Sequence, residues 1–455
     1  MKDMGYKSLP GATRRLEQIP KMPSKGKINF GQELLIKDLT YMPVTLNIRQ
    51  FFSLIFVVVI VFQIASIFSP HVEGDEMVYL ALSRDMGWNL SNYTVMNDAP
   101  YNQFPARTYR QSIFMHPPLF PLILKIGSIV GDVTLFGILF NGLLKFTMAV
   151  LMYVFALTLG VRRTTAQMAA LFVSACPIVG FIGSRLLIDM SFTLSIIASI
   201  YLLIRAGIEG ARKNLIWGVV CFCICLNTKI QAIAYLPLFF YIFVASSRNA
   251  IHKGDLTLSS FRNIAILGTI LIASIGLSHY IRLFFGLGYQ ECLHMTNLEM
   301  GFNPFVQRIL TRSKLKFLIY LTLLHPIAII LMCPRFWIQA RRSLWTMPKP
   351  LFYLTISILY STVITLLFST AQERYWAHVF PLCFLFIAAL VEQADDVPKR
   401  LSIMNGVYYA YFVLLFTNNF FINVILAGSR TAIVFPSLLN LFPFLCMDGG
   451  PFYNF

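Results

Sequence analysis

Long apolar runs separated by short polar breaks set the organisation of this chain. The first run covers residues 51–68, at the lower end of the about 17–25 residues that a helix needs to cross a bilayer. Residues 118–130 are apolar but short, are interrupted by Lys125 and are followed by Gly131-Asp132, which predicts a helix lying along the interface. A second span is predicted over 134–160, ending at Arg162-Arg163, and 167–183 climbs back to Arg185 and Asp189. Further basic clusters follow at Arg205/Arg212/Lys213, Arg248/Lys253/Arg262, Arg335/Arg341/Arg342 and Lys399/Arg400. Placing each of them inside leaves outer segments at 227–231, 286–312 and 371–378, and about eleven spans in all. No internal repeat or heptad interrupts this pattern.

Composition agrees with a polytopic membrane protein. Of 455 residues, 57% are hydrophobic and 13% charged, too little polar surface for a soluble globule of this length. The net charge of +17 lies in clusters between apolar runs, where the positive-inside rule accounts for it, so nucleic-acid binding is not implied. Residues 1–50 are basic and lack the apolar core and cleavage site of a signal peptide, which predicts a cytoplasmic tail. The predicted division is therefore tail 1–50, transmembrane domain 51–426 with a first outer loop at 69–133, and C-terminal tail 427–455. Cys176, Cys221, Cys223, Cys225 and Cys383 sit in apolar runs and are expected to pack as small hydrophobes; only Cys292 and Cys446 are placed to pair outside the membrane.

With the tail inside, the first loop is outside, and its acids Glu73, Asp75, Glu76, Asp85 and Asp98 outnumber its arginines. It also carries two sequons, at Asn89 and Asn92, which are usable only on that face. Asp75, Glu76, His116, Arg185, Asp189, Lys229, Glu373, Arg374 and His378 then all fall at the outer end of the bundle. Charge near membrane depth is costly, so this convergence points to a shared polar cavity.

Each element also has a simpler structural reading. Asp75-Glu76 suits the acidic first turn of a helix, or a general base or metal ligand. Arg185 and Asp189, four apart, suit an intrahelical ion pair or a ligand site. His116-Pro117-Pro118 either opens an interfacial helix or brings an imidazole to a phosphate. Gln372-Glu373-Arg374-Tyr375 is either an interfacial aromatic with snorkelling charges or a guanidinium clamp on a lipid-linked phosphate. No Walker loop, dinucleotide fingerprint or His-Glu-x-x-His zinc helix is present in the sequence.

The order of these motifs resembles the GT-C glycosyltransferases. Gly74-Asp75-Glu76 is followed by Tyr79, then His116-Pro117-Pro118-Leu119, Arg185 to Asp189, and Arg374-Tyr375 before Pro381. Within that superfamily the chain is similar to the branch of protein O-mannosyltransferases and lipid A aminoarabinose transferases, over roughly residues 51–391. The resemblance implies an all-α polytopic membrane fold, with interfacial helices in the first outer loop. It also implies an inverting sugar transfer from an undecaprenyl- or dolichyl-phosphate donor to a glycan, lipid or protein acceptor at the extracytoplasmic or lumenal face, in a bacterial inner membrane or the endoplasmic reticulum.

In that scheme Asp75 is the general base and Glu76 orients it or the acceptor. Cations for the departing phosphate come from Arg185, Arg374 and Lys229, with His116 and Asp189 beside them. Lys145 stands where relatives often carry an arginine for the donor phosphate. A divalent metal (Mg or Mn) held by Asp75, Glu76 and Asp189 stays open. The chain departs from the branch in lacking both the large C-terminal soluble domain of the aminoarabinose transferases and the central soluble insert of the O-mannosyltransferases. A multi-pass transporter or lipid flippase is the alternative reading, with Asp189, Lys229, His279 and Arg282 lining a path.

Overall fold

The computed structural model describes residues 46–68, 75–85, 117–252, 347–368 and 373–392, with single positions at 262, 268 and 413. The basic tail up to residue 45, both sequons, His116, Cys292, Cys446, His279, Arg282 and the 286–312 loop lie outside these residues. Every regular element among the described residues is helical. In chain order these are α1 (Ile48–Phe68), α2 (Asp75–Asp85), α3 (Leu119–Val130), α4 (Val133–Thr158), α5 (Arg163–Ala175), α6 (Pro177–Gly183), α7 (Asp189–Glu209), α8 (Arg212–Thr228), α9 (Leu236–His252), α10 (Lys349–Phe368) and α11 (Val379–Glu392). Two 3₁₀ turns, Ile230–Tyr235 and Glu373–Trp376, precede α9 and α11.

Local chemistry explains the boundaries. Asn47 and Gln50 form a reciprocal capping box at the start of α1, each side chain accepting from the other's backbone N–H at 2.9 and 3.1 Å. Asp132, expected as the polar end of the interfacial helix, is the N-cap of α4: its carboxylate accepts from Thr134 N at 2.7 Å and Leu135 N at 3.1 Å. The single climb expected over 167–183 is broken in two. Pro177 brings no backbone N–H and disfavours helical geometry in the residue before it, so α5 stops at Ala175 and α6 restarts with proline in its first turn. Gly210, at φ 76, ends α7 in the left-handed conformation that glycine adopts without steric cost.

Helices α4 and α7, together with 349–366 of α10, are long and apolar enough to cross a membrane, while α1, α3 and α11 supply shorter apolar segments. Large apolar side chains such as Phe56, Leu143, Trp217 and Leu359 face outward, as hydrocarbon contact requires. Inside, Met148, Phe155, Phe172 and Phe222 belong to one large core joining α1, α4, α5 and α7 to α11. A smaller core of Tyr79, Phe120, Leu124, Ile138, Leu186 and Ile188 ties α2 and α3 to α4 and to the turn between α6 and α7. Tyr79 meets Phe120 edge-on at 5.5 Å. The cysteines at 176, 221, 223, 225 and 383 form no disulfide among the described residues and are buried or half-buried.

Candidate active site

The turn at 184–188 brings the distant motifs together. Glu76, the second residue of α2, reaches it from the first loop. Its carboxylate accepts from Arg185 Nε and Nη2, both at 3.0 Å, and from the backbone N–H of Leu186 at 2.9 Å. This is a two-point guanidinium–carboxylate fork, with the Glu76 side chain only 2% exposed. The expected intrahelical Arg185–Asp189 pair does not form. Arg185 lies in the turn, α7 begins only at Asp189, and both side chains find partners on other elements.

Asp75 and Glu76 therefore take different surroundings although they are neighbours. Successive helical positions point about 100° apart, so while Glu76 turns into the protein, Asp75 stays 35% exposed and pairs with Arg374 Nη1 at 2.6 Å. Arg374 belongs to the 3₁₀ turn before α11, and its side chain is 10% exposed. A second pair joins Asp189, at the start of α7, to Lys229, in the extended link after α8. The other carboxylate oxygen of Asp189, Oδ2, is buried without a hydrogen-bond partner among the described residues.

Tyr375 joins the two pairs. Lys229 Nζ lies 4.3 Å from its ring centroid, and the Arg374 guanidinium carbon lies 5.2 Å from it. Asp189, Lys229, Arg374 and Tyr375 line one cavity of about 20 Å³, walled further by Phe192, Tyr235 and His378. That is room for a water molecule. Burial alone would lower the Arg374 guanidinium, but Tyr375, Asp189, Asp75 and Tyr79 outweigh it and hold its pKa above the ordinary value. Burial, then Asp75 and Asp189, raise the Tyr79 phenol, which places that ring beside the same charges.

His378 is fully buried and shares a hydrogen bond with the Tyr235 hydroxyl. Burial, reinforced by Lys229, lowers its pKa from 6.5 to about 3, so it is neutral at pH 7. An unfolded chain takes up this proton below about pH 6.5 and the folded chain does not, so stability falls as pH drops from there toward 3. The thermal unfolding midpoint is expected to decrease from pH 7 to 5, with a limiting contribution of about 1.4 kcal/mol per pH unit from this group. His378→Asn should flatten the slope; an unchanged slope would assign it to other groups.

The candidate residues divide as follows. Asp189, Lys229 and Arg374 line the cavity, Asp75 pairs with Arg374, and Glu76 pairs with Arg185 at the turn. Lys145 does not line the cavity, but lies wholly buried with Nζ 4.3 Å from the Phe62 ring centroid. Tyr235 and Phe192 were not singled out from the sequence, because an aromatic residue at a helix end is ordinary in a membrane protein. Asp75, Glu76 and Asp189 each face a cationic side chain, and among the described residues no three His, Cys, Asp or Glu side chains gather at one point.

The helical frame matches that of ArnT from Cupriavidus metallidurans. The undecaprenyl phosphate complex of that protein superposes with a TM-score of 0.51 at 15% identity, covering 83% of this chain and 76% of that one. Its apo state gives 0.52 at 14% identity over the same shares. The chain has a GT-C fold. A family model described as dolichyl-phosphate-mannose-protein mannosyltransferase matches residues 115–275, a stretch that includes Arg185, Asp189 and Lys229 but neither Asp75 nor Arg374. The Saccharomyces cerevisiae protein O-mannosyltransferase Pmt1-Pmt2 complex, bound to its sugar donor, gives a TM-score of 0.38 at 17% identity, over 56% of this chain and 36% of that one. No curated protein matches the sequence. A GT-C bundle is a polytopic membrane architecture, in agreement with the apolar helices described above.

Proposed function

We propose that this chain is an inverting glycosyltransferase that moves a sugar from a polyprenyl phosphate, undecaprenyl or dolichyl, onto an acceptor hydroxyl at the extracytoplasmic or lumenal face. The observation that carries this reading is one cavity lined by Asp189, Lys229 and Arg374, with Asp75 paired to that arginine, four residues from separate parts of the chain. The match to the mannosyltransferase family model and the likeness to ArnT, solved with undecaprenyl phosphate, support it.

In this reaction the acceptor oxygen forms a bond to the anomeric carbon as the bond from that carbon to the phosphate oxygen breaks. The electron pair leaves on the phosphate, and the hydroxyl proton passes to Asp75, the exposed member of the acidic pair. Arg374 and Lys229 stabilise the departing phosphate, Arg374 through its planar fork and Lys229 as a point charge. Glu76 and Arg185 hold the geometry instead of touching substrate, since each is engaged by the other. As Arg374 turns to the donor phosphate it loosens its hold on Asp75, so the base becomes fully available once donor is bound.

The reading is tested by incubating the purified full chain with a panel of undecaprenyl- and dolichyl-phosphate sugars and acceptor hydroxyls, and measuring release of lipid phosphate. No release from any donor would overturn it. Lys229→Gln is expected to raise the donor KM about tenfold or more, because one charge-assisted contact to phosphate is lost. An unchanged donor KM and kcat would remove Lys229 from the phosphate site.

A further inference from the structure

Below the 184–188 turn the bundle holds polar side chains that the reaction does not use. Asn141, in the first half of α4 and wholly buried, donates from Nδ2 to two carbonyls of the turn, Arg185 O at 2.6 Å and Leu187 O at 3.0 Å. Gln63 of α1, 1% exposed, donates from Nε2 to Gly183 O at 2.6 Å, where α6 runs into the turn. The fit is close: a Cβ on Gly142 would lie 2.8 Å from Gln63 Nε2, and one on Gly183 would lie 3.0 Å from the Lys145 side chain. Gln63 Oε1, Asn141 Oδ1 and Lys145 Nζ are buried without a hydrogen-bond partner among the described residues.

Such a cluster is a poor way to stabilise a membrane bundle. Buried polar atoms without partners each cost free energy that apolar side chains of the same size would not. What the cluster does achieve is directional. Three helices reach one short turn: α1 through Gln63, α4 through Asn141 and α2 through Glu76. The turn sets Asp189 on one side, as the first residue of α7, and holds α2 on the other, with Asp75 next to Glu76.

We infer that Asn141 and Gln63 are positioning residues, whose hydrogen bonds to the 183–187 carbonyls set the distance between Asp75–Arg374 and Asp189–Lys229. The inference rests on the proposed transferase reading and adds to it a layer beneath the site. Displacing reacting groups by about 1 Å can cost about a hundredfold in rate, which is the scale on which a released turn acts.

The test uses Asn141→Asp, which keeps shape and removes both donated bonds, and Gln63→Glu as an independent second variant. Each full-length protein is assayed with the best donor of the wild type, and amide hydrogen exchange is followed over 184–188 and over α10 as a distant control. The expected result is a kcat lower by about ten- to a hundredfold with donor KM within about threefold, and exchange about tenfold faster at 184–188 only. A general loss of structure would speed exchange in α10 as well. Unchanged kcat in both variants, or a raised donor KM with kcat intact, would overturn the inference. Where the wild type turns over no polyprenyl-phosphate sugar, the transferase reading fails instead, and exchange alone decides: unchanged protection at 184–188 overturns the positioning role, and a local rise retains it.

Discussion

Asp75→Asn is expected to reduce sugar transfer by about 10²–10⁴-fold, the range that a positioned general base contributes. The substitution keeps the size of the side chain and leaves an amide oxygen to face Arg374, so α2 and its packing through Tyr79 and Phe120 should survive. What disappears is the ability to take a proton from the acceptor. The measurement is lipid-phosphate release by the purified variant, beside a thermal unfolding curve that matches the wild type. A comparable change at Glu76 would act differently, since that carboxylate is committed to Arg185 and to Leu186 N. Transfer by Asp75→Asn at the wild-type rate would remove Asp75 from the role of base.

The second large effect is on stability. Arg185→Leu leaves the Glu76 carboxylate buried without its guanidinium, and breaking a buried pair in this way costs about 3–5 kcal/mol. The expected outcome is a marked fall in unfolding midpoint and a loss of activity following from it. Replacing both residues, as Arg185→Leu with Glu76→Leu, should recover much of the stability, because apolar side chains of similar volume avoid the cost of desolvating two charges. Activity should not return, since α2 and the turn would no longer be held in register. A double variant as unstable as the single one would show that packing in the small core, not charge, dominates at this position.

Much of the helical plan was readable along the chain, because the rule behind it is local. The apolar run at 51–68 is helical over Ile48–Phe68, that at 134–160 over Val133–Thr158, and that at 118–130 over Leu119–Val130. Length and apolar content decide such segments without reference to the rest of the fold. The break at Pro177 was written in the sequence too, but the apolar run continues through it, and hydropathy does not register a missing N–H.

The site was readable only in part. The same residues that open a helix with an acidic turn also place a base, and nothing in Asp75-Glu76 distinguishes which of the two faces inward. Spacing of four between Arg185 and Asp189 suggested one helix face; a turn occupies that interval instead, and the residues separate to Glu76 and Lys229. Lys145 was grouped with the phosphate cations on sequence position, whereas its side chain packs among α1, α4 and α6. Asn141 and Gln63 carried no signal at all, since an amide in an apolar run reads the same whether it faces lipid, a neighbouring helix or a turn.

Sequence by itself determined that this is a multi-span helical protein with charge gathered between its apolar runs, because a bilayer imposes length, hydropathy and charge rules on each segment separately. It also supplied the short motifs whose order points to the GT-C fold. Tertiary structure alone decided which charges face one another: Asp75 with Arg374, Asp189 with Lys229, Glu76 with Arg185. Those pairings join residues from about forty to three hundred positions apart, and partner choice at that separation follows from how helices pack, which no local pattern encodes.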